Sequence, residues 1–468
     1  MREKTVTLLN DSKTARWVAL ALISLTMFFA YFFVDVVAPL QTMLETNYKW
    51  TPEVFGMLGG SEFFLNVFAF FLIFSGVILD KMGIRFTLIT AGLAMVLGAA
   101  IKFYALTAGF EATALATWLS SFIVWIPASA KLAFFGFAIF GVGVEMAGIT
   151  VSKTIVKWFK GREMALAMGL EMAVARLGVF AVFRLTPIFA ENGGPANSVF
   201  WGLAFLCIGF ITFFAYTFMD RKLDKQMGVS KLTADPEEEF KLSDLKKIFT
   251  NPGFLAIAGL CVLFYSAIFP FQKFATDMLA SKLSVDVKTA AAYFSYFPIG
   301  AMILTPFIGY FLDIRGKGAT MMIFGAVLLT ASHLIFALVP AESFGVATAI
   351  GTIVILGTAF SLVPASMWPS LPKIVEDRYL GSAFGAIFWI QNIGLLAVPV
   401  LIGWALTASN PGVSEQIAAG VEGVKYNYMV PELIFAGFGV LAFGLAFVLK
   451  AVDKKHGYGL ELPNKKKK

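Results

Sequence analysis

An acid and a base stand at mirrored positions about one short basic turn. The stretch Phe140–Gly178 reads FGVGVEMAGITVSKTIVKWFKGREMALAMGLEMAVARLG, and Lys157-Trp158-Phe159-Lys160-Gly161-Arg162 divides it into two apolar segments. Glu145 lies in the first segment and Arg176 in the second. Each is about 11–12 residues from the turn. At about 1.5 Å per residue both lie roughly 16–18 Å deep, close to the middle of a bilayer about 30 Å thick. Charges are costly in lipid, so the two must face a cavity, each other or a ligand. Two readings stand. The pair is a buried salt bridge that staples two helices, although desolvation cancels much of the attraction in such pairs. Or it is a clamp for a small zwitterion, with an α-amino group on Glu145 and a carboxylate held bidentately by Arg176. In the second reading the two side chains pair with each other until a ligand competes for them.

Other polar groups interrupt apolar runs. Asp35 either orients a ligand, serves as a proton site or hydrogen-bonds to a broken helix. Glu62, near mid-depth, is either a proton-exchanging carboxyl or a neutral acid bonded to backbone. Lys153 snorkels to the headgroups or lines a vestibule, and Arg184 has the same two readings. Glu171 is about 140° around its helix from Arg176 and is not expected on the same face. Lys102 and Glu432 are expected at the membrane interface. Further along, Tyr265, Phe269, Trp368, Gln391 and Asn392 offer aromatic walls and amide partners for a small ligand, or plain packing. The adjacent amides of Gln391 and Asn392 need partners in lipid.

Membrane-spanning helices must carry these residues. The 468-residue chain is 58% hydrophobic and 14% charged, with a mean hydropathy of +0.79. Recurrent apolar runs of about 20 residues mark a polytopic membrane protein. Spans are expected at about 17–41, 53–78, 85–108, 132–156, 164–189, 197–219, 252–272, 289–312, 319–340, 345–370, 380–407 and 429–451. The 107–130 stretch, with its apolar TWLSSFIVWIP, is expected as a re-entrant or interfacial loop. Lys and Arg number 27 in the tails and the loops on their side. The opposite loops hold six: Lys49, Lys131, Lys273, Lys282, Lys288 and Lys425. Both termini are therefore expected in the cytoplasm.

The expected fold class is an all-α membrane protein, with twelve transmembrane helices in two six-helix bundles. A tail (1–16) precedes the first bundle (17–219), a linker (220–250) joins it to the second (251–451), and a basic tail (452–468) follows. The linker holds a solvated TADPEEEF and then KLSDLKKIF, whose apolar spacing reads as a short interfacial helix. The two cysteines, Cys207 and Cys261, lie in apolar runs and suggest no disulfide framework. With His333 and His456 they offer no zinc or haem set. No nucleotide loop or nucleophile–base constellation is present, so neither an enzyme nor a cofactor is expected. The net charge of +7 is concentrated at one membrane face, so nucleic acid is not an expected partner.

An internal repeat marks the two halves. Gly76-Val-Ile-Leu-Asp80-Lys-Met-Gly83-Ile-Arg85 follows the second span, and Gly309-Tyr-Phe-Leu-Asp313-Ile-Arg-Gly316-Lys317 follows the eighth. The glycines allow close packing and a tight turn. The acids can meet a neighbouring helix N-terminus or Arg85. The pattern resembles the signature loop of the major facilitator superfamily, G-x-x-x-D-[RK]-x-G-[RK]-[RK], with a departure at Ile84. The resemblance implies two bundles rocking around a central site. It implies a gating role for Gly76, Asp80, Gly83, Arg85, Gly309, Asp313, Gly316 and Lys317, with Asp80 latching near Gly381 to hold the outward-open state.

A narrower resemblance runs through YFFVDVVAPLQT (31–42), WFKGREMALAMGLEMAVARLG (158–178), KLSDLKKIF (241–249), FYSAIFPF (264–271) and SMWPSLPKIVEDRYLGSAFGAIFWIQNIGL (366–395). These segments resemble the branch of major facilitator superfamily domain-containing protein one, the lysosomal dipeptide uniporters of animals. In that branch an acid on span four and an arginine on span five contact the two ends of a dipeptide, positions that match Glu145 and Arg176. The expected function is alternating-access transport of dipeptides by a monomer in the lipid bilayer, as a uniporter or coupled to protons through Asp35 or Glu62. An organic-anion or sugar-phosphate antiporter would want more than one mid-depth cation. Proton-driven drug efflux would not need Arg176, and a non-transporting receptor or scaffold would not need latches in both halves. The sequon Asn10-Asp11-Ser12 lies in the N-terminal tail, and Leu8-Leu9 is out of register with Glu3 for a dileucine signal. A bacterial inner membrane is thus expected over a lysosome, without a required accessory subunit.

Overall fold

The computed structural model describes residues 8–227 and 242–463, and its regular structure is helical throughout. The first half comprises α1 (Lys13–Val34), α2 (Pro52–Ser61), α3 (Phe64–Phe68), α4 (Phe71–Ala105), α5 (Ala128–Phe159), α6 (Met164–Glu191) and α7 (Gly194–Met227). A short α8 (Leu242–Phe249) precedes the second half. That half holds α9 (Pro252–Leu283), α10 (Val287–Phe294), α11 (Tyr296–Arg315), α12 (Gly318–Leu338), α13 (Val346–Met367), α14 (Leu380–Ser409) and α15 (Met429–His456). Among the described residues, eleven helical stretches are long and apolar enough to cross a membrane.

Local chemistry sets the helix starts. Thr51 Oγ1 accepts from Val54 N, and Pro52 follows it. Asn251 Oδ1 accepts from Gly253 N and Phe254 N at 2.8 and 3.2 Å, and Pro252 follows. A capping side chain and a proline at the first helical position satisfy or remove donors that the helix leaves free.

The span expected at 53–78 is not one helix. It is divided into α2, α3 and the start of α4, with Phe70 in the left-handed region at φ 53°. Gly59-Gly60-Ser61 are weak helix formers and allow the first break. The first helix is likewise interrupted: α1 stops at Val34, a 3-10 turn spans Ala38–Leu40 around Pro39, and Gln41–Tyr48 resumes. Asp35 and Glu62 cap the two broken ends.

Gly83, at φ 81° and ψ 170°, turns the chain within α4. Before it, Asp80 meets Lys153, whereas after it Ala91 lies against Gly143, ten residues farther along α5 from that end. The chain therefore reverses at Gly83, where a side chain would strain the backbone. Elsewhere helices run beyond their apolar windows, to Met227, Leu283 and His456. The TADPEEEF segment lies outside the described residues. The helix expected from KLSDLKKIF is α8, whose Lys247 Nζ donates to Tyr379 OH at 2.9 Å.

The termini share one face. Leu9 N donates to Gln226 Oε1 at 2.7 Å, and the C-terminal tail meets the turn before α12, where Lys317 N donates to Glu461 O at 3.0 Å. The halves meet toward the opposite face. Phe183 of α6 packs edge-on against Phe294 of α10 at 4.8 Å, and Lys288 reaches Glu191 at 2.9 Å. Glu45 accepts from Tyr426 OH at 2.6 Å and from Ser414. Gly56 and Gly60 of α2 admit the carbonyls of Pro399 and Leu396 of α14. Hydrogen bonds and ion pairs that join the halves cluster at or beyond the level of Asp35, and Trp389 Nε1 donates to Val67 O at 3.1 Å nearer the termini. The cleft is closed at that face and open toward the termini.

Candidate functional site

Arg176 of α6 points across the cleft. Its guanidinium carbon lies 4.7 Å from the ring centroid of Phe360 on α13, in the other half. Phe360 belongs to an aromatic wall. Phe269 meets it edge-on at 5.6 Å, and Tyr265 stacks on Phe269 at 5.5 Å. Tyr265 OH accepts from Trp368 Nε1 at 3.0 Å, and Trp368 in turn lies 5.0 Å from Phe388. Three of the sequence candidates, Tyr265, Phe269 and Trp368, are thus one packed unit that faces Arg176.

Glu145 and Arg176 are both half-buried, and among the described residues neither makes an ion pair. The resting pair expected from their equal depth is not formed. Arg176 turns to the aromatic wall instead, and Tyr31 of α1 stands near both charges. Tyr31 is 37% exposed and within electrostatic reach of Glu145 and Arg176. Glu171 also lies within electrostatic reach of Tyr31. The first helix approaches α6 closely, because Gly178 admits the carbonyl of Phe28.

Gln391 and Asn392 do not converge on one point. Gln391 Oε1 accepts from Cys261 Sγ at 3.4 Å, whereas Asn392 is 2% exposed and its Nδ2 has no partner. Adjacent residues on a helix point about 100° apart, which separates the two amides.

A second polar cluster seals the cleft beyond Glu145. Lys273 Nζ of α9 lies 2.9 Å from Asp35 Oδ1 and 3.8 Å from Glu62 Oε2, and it donates to Val34 O at 2.9 Å. Gln272 Nε2 donates to Asp35 Oδ2. Lys102, with no exposed surface, places Nζ 3.8 Å from the centroid of Phe137, within electrostatic reach of Glu62 and Asp35. Two acids and two bases therefore share one buried site. This corrects two expectations, Lys273 in a loop and Lys102 at the interface. A lysine ends an apolar window in the sequence, but acids at two helix breaks let α9 continue through it. Glu432 is also buried rather than interfacial, 2.7 Å from His333 Nδ1.

The repeated loops sit at the termini face. Asp80 Oδ1 accepts from Lys153 Nζ at 2.6 Å, so Lys153 does not snorkel. Arg85 does not meet Asp80 either. It reaches Asp220 Oδ2 at 3.2 Å, and Lys157 lies 2.6 Å from both Asp220 and Asp224. Gly76 and Gly309 face open space, and Gly316 adopts φ 72°. Lys317 Nζ lies 3.8 Å from Glu461 Oε2. Arg184 donates from Nε to Ser295 Oγ at 2.9 Å across the closed face.

Phe360, Tyr31 and Lys273 escaped sequence reasoning as site residues. Phe360 is one of 50 phenylalanines and carries no local signal. Tyr31 could have been found, since it opens the YFFVD segment. Lys273 follows directly on the FYSAIFPF stretch and Gln272.

Comparisons with known proteins fit this geometry. The sequence profile of the Major Facilitator Superfamily matches residues 20–399. The mouse protein named lysosomal dipeptide transporter MFSD1 is 28% identical over 403 residues, 84% of this chain and 80% of that protein. The human protein of that name is 27% identical over 404 residues, again 84% and 80%. Among solved structures, the nucleoside transporter NupG superposes with a TM-score of 0.68 at 16% identity, covering 93% of this chain and 99% of that one. A bacterial homologue of the human lysosomal transporter Spinster, inward-facing and occupied, gives 0.66 at 13% identity, covering 95% and 98%. At those identities the two structures speak for the fold alone. The profile spans most of the chain: this multi-pass membrane protein is a transporter of the major facilitator superfamily, not an enzyme.

Proposed function

We propose that the chain carries dipeptides across a membrane by alternating access, in twelve crossings with both termini cytoplasmic. One observation carries the reading. Glu145 and Arg176 lie on adjacent antiparallel helices, half-buried and without ion pairs among the described residues, and Arg176 faces an aromatic wall. An α-amino group completes Glu145 and a carboxylate completes Arg176. Tyr265, Phe269, Phe360 and Trp368 leave a tolerant surface for side chains. Tyr31, within electrostatic reach of both charges, offers its hydroxyl to the peptide group between the two ends.

The relatives' name supports the substrate class, and Arg176 as the one mid-cleft cation among the described residues disfavours a phosphate. Asp35 is engaged by Lys273 and Gln272 in the closed seam, which supports a gating role over substrate contact. The cell membrane of a bacterium is the proposed location, from the cytoplasmic position of the sequon and from Leu8-Leu9 being out of register with Glu3 for a dileucine signal.

Thermal stabilisation of the purified protein tests the proposal. Ligand at 100 times its Kd stabilises the native state by about 2.7 kcal/mol. Free-ended dipeptides should raise Tm, and N-acetyl or C-amide capping should abolish the shift. Glu145→Gln and Arg176→Ala should each remove it. A shift that survives capping at both ends, or that appears only with a sugar phosphate, refutes the zwitterion clamp.

A further inference from the structure

A groove of about 520 Å³ opens on the outside of the seam rather than in the cleft, lined by Glu53, Met57, Trp125, Ala397, Leu401 and Trp404. Its floor is tight. Gly56 admits the carbonyl of Pro399, and Gly403 admits that of Pro52, so α2 and α14 touch backbone to backbone while larger side chains stand to either side. Glu53 is the second residue of α2, and Trp404 lies five residues before the end of α14, so both sit at the membrane boundary opposite the termini. Ala397 is seven residues before Trp404, which sets it about 10 Å deeper. Trp125 is 55% exposed and Trp404 59% exposed. Tryptophan at that level belongs to the headgroup region, with apolar surface below it.

Glu53 is the charged residue of this lining, and among the described residues it makes no hydrogen bond or ion pair. Among the described residues no lysine or arginine lines the groove, so an anionic headgroup would meet like charge. A quaternary ammonium cannot donate a hydrogen bond, whereas a primary ammonium can do so with charge assistance. We infer that the groove holds a phospholipid with a primary-amine headgroup. The ammonium bonds Glu53, and an acyl chain runs between Met57, Leu401 and Ala397 under the two tryptophans. The groove bridges both halves, since α2 and α14 belong to different bundles. The lipid therefore favours the conformation in which this seam is closed.

Native mass spectrometry of the purified full-length chain tests this, with phosphatidylethanolamine, phosphatidylcholine and phosphatidylglycerol of equal acyl length as probes. A hydrogen bond to a charged group is worth about 1.5–3 kcal/mol, which corresponds to roughly tenfold or greater retention of phosphatidylethanolamine. N,N-dimethylation of that lipid, which needs no protein variant, should weaken retention, because it leaves one N–H for Glu53. Glu53→Gln should level the three lipids, and Trp404→Ala should lower the retention of all of them. Equal retention by the unaltered chain overturns the inference. So does a phosphatidylethanolamine preference that persists in Glu53→Gln, or a groove occupied by a second copy of the chain.

Discussion

Lys273 Nζ lies 2.9 Å from Asp35 Oδ1, and the two residues belong to opposite halves of the chain. The bond exists only while the halves meet at this face. Removing one partner of a buried pair costs about 3–5 kcal/mol, because the other charge stays buried without compensation. In a transporter that rocks, the cost falls on the conformation that buries the pair. Asp35→Asn should therefore shift the protein toward the state open at this face. Phe55, 3% exposed and 5.3 Å from Phe274 across the seam, is a suitable reporter. With Cys207 and Cys261 replaced, Phe55→Cys should react with an impermeant maleimide at least about tenfold faster when Asp35→Asn is added. Exchanging the pair, Asp35→Lys with Lys273→Asp, should restore protection. Unchanged labelling would show that the seal lies elsewhere.

Phe360 holds Arg176 by its ring face. A cation–π contact is worth about 0.5–2 kcal/mol, so Phe360→Leu should weaken dipeptide binding by roughly 2–30-fold. Phe360→Tyr keeps the ring and should bind nearly as the native chain does. Calorimetric titration checks the order. Equal losses in the leucine and tyrosine variants would assign Phe360 to packing alone.

The helical architecture was legible because hydropathy directly records the need to satisfy backbone groups in lipid. The broken second span was less so. Its Gly-Gly-Ser interruption is one short signal inside an apolar run, and only packing against α14 and Gly141 shows why the break is kept. Glu145 and Arg176 were visible because a charge in an apolar run stands out. Their lack of mutual pairing was not visible, since depth fixes height along two helices but not the direction of either side chain. Lys273 was misplaced for a related reason. Hydropathy windows treat a lysine as a boundary, whereas its acid partners lie more than 200 residues earlier in the chain.

Asp80 pairs with Lys153 inside one half while the cleft is open at the termini face. A partly exposed pair contributes about 0.2–1 kcal/mol, so it biases the two conformations without locking either. Lys153→Met frees Asp80 for a latch across the cleft and should raise maleimide labelling at Phe55→Cys by roughly 1.5–5-fold. Asp80→Asn removes both partnerships and should not raise it. A rise in both variants would mean that the Asp80–Lys153 contact acts only as a structural staple.

The second repeated loop is held by the chain's own tail. Lys317 N and Gly318 N donate to Glu461 O and Leu460 O, each at 3.0 Å, and Thr320 N donates to Glu461 Oε1 at 2.8 Å. Leu460 is 1% exposed, and its own N–H reaches Asp453 Oδ1 at 3.1 Å. Gly316, at φ 72°, lies so close to the Glu461–Pro463 backbone that a Cβ would displace the tail. Gly316→Ala thus combines a strained backbone with a steric conflict, while Leu460→Ala removes only buried apolar surface. Burying a leucine is worth about 2 kcal/mol, so Leu460→Ala should lower Tm by a few degrees. Gly316→Ala should lower it further and expose the tail to carboxypeptidase. Should both variants melt as the native protein does, with the tail still protected, the tail contributes nothing to the loop. The tight turn at Gly316 would then stand on α11 and α12 alone.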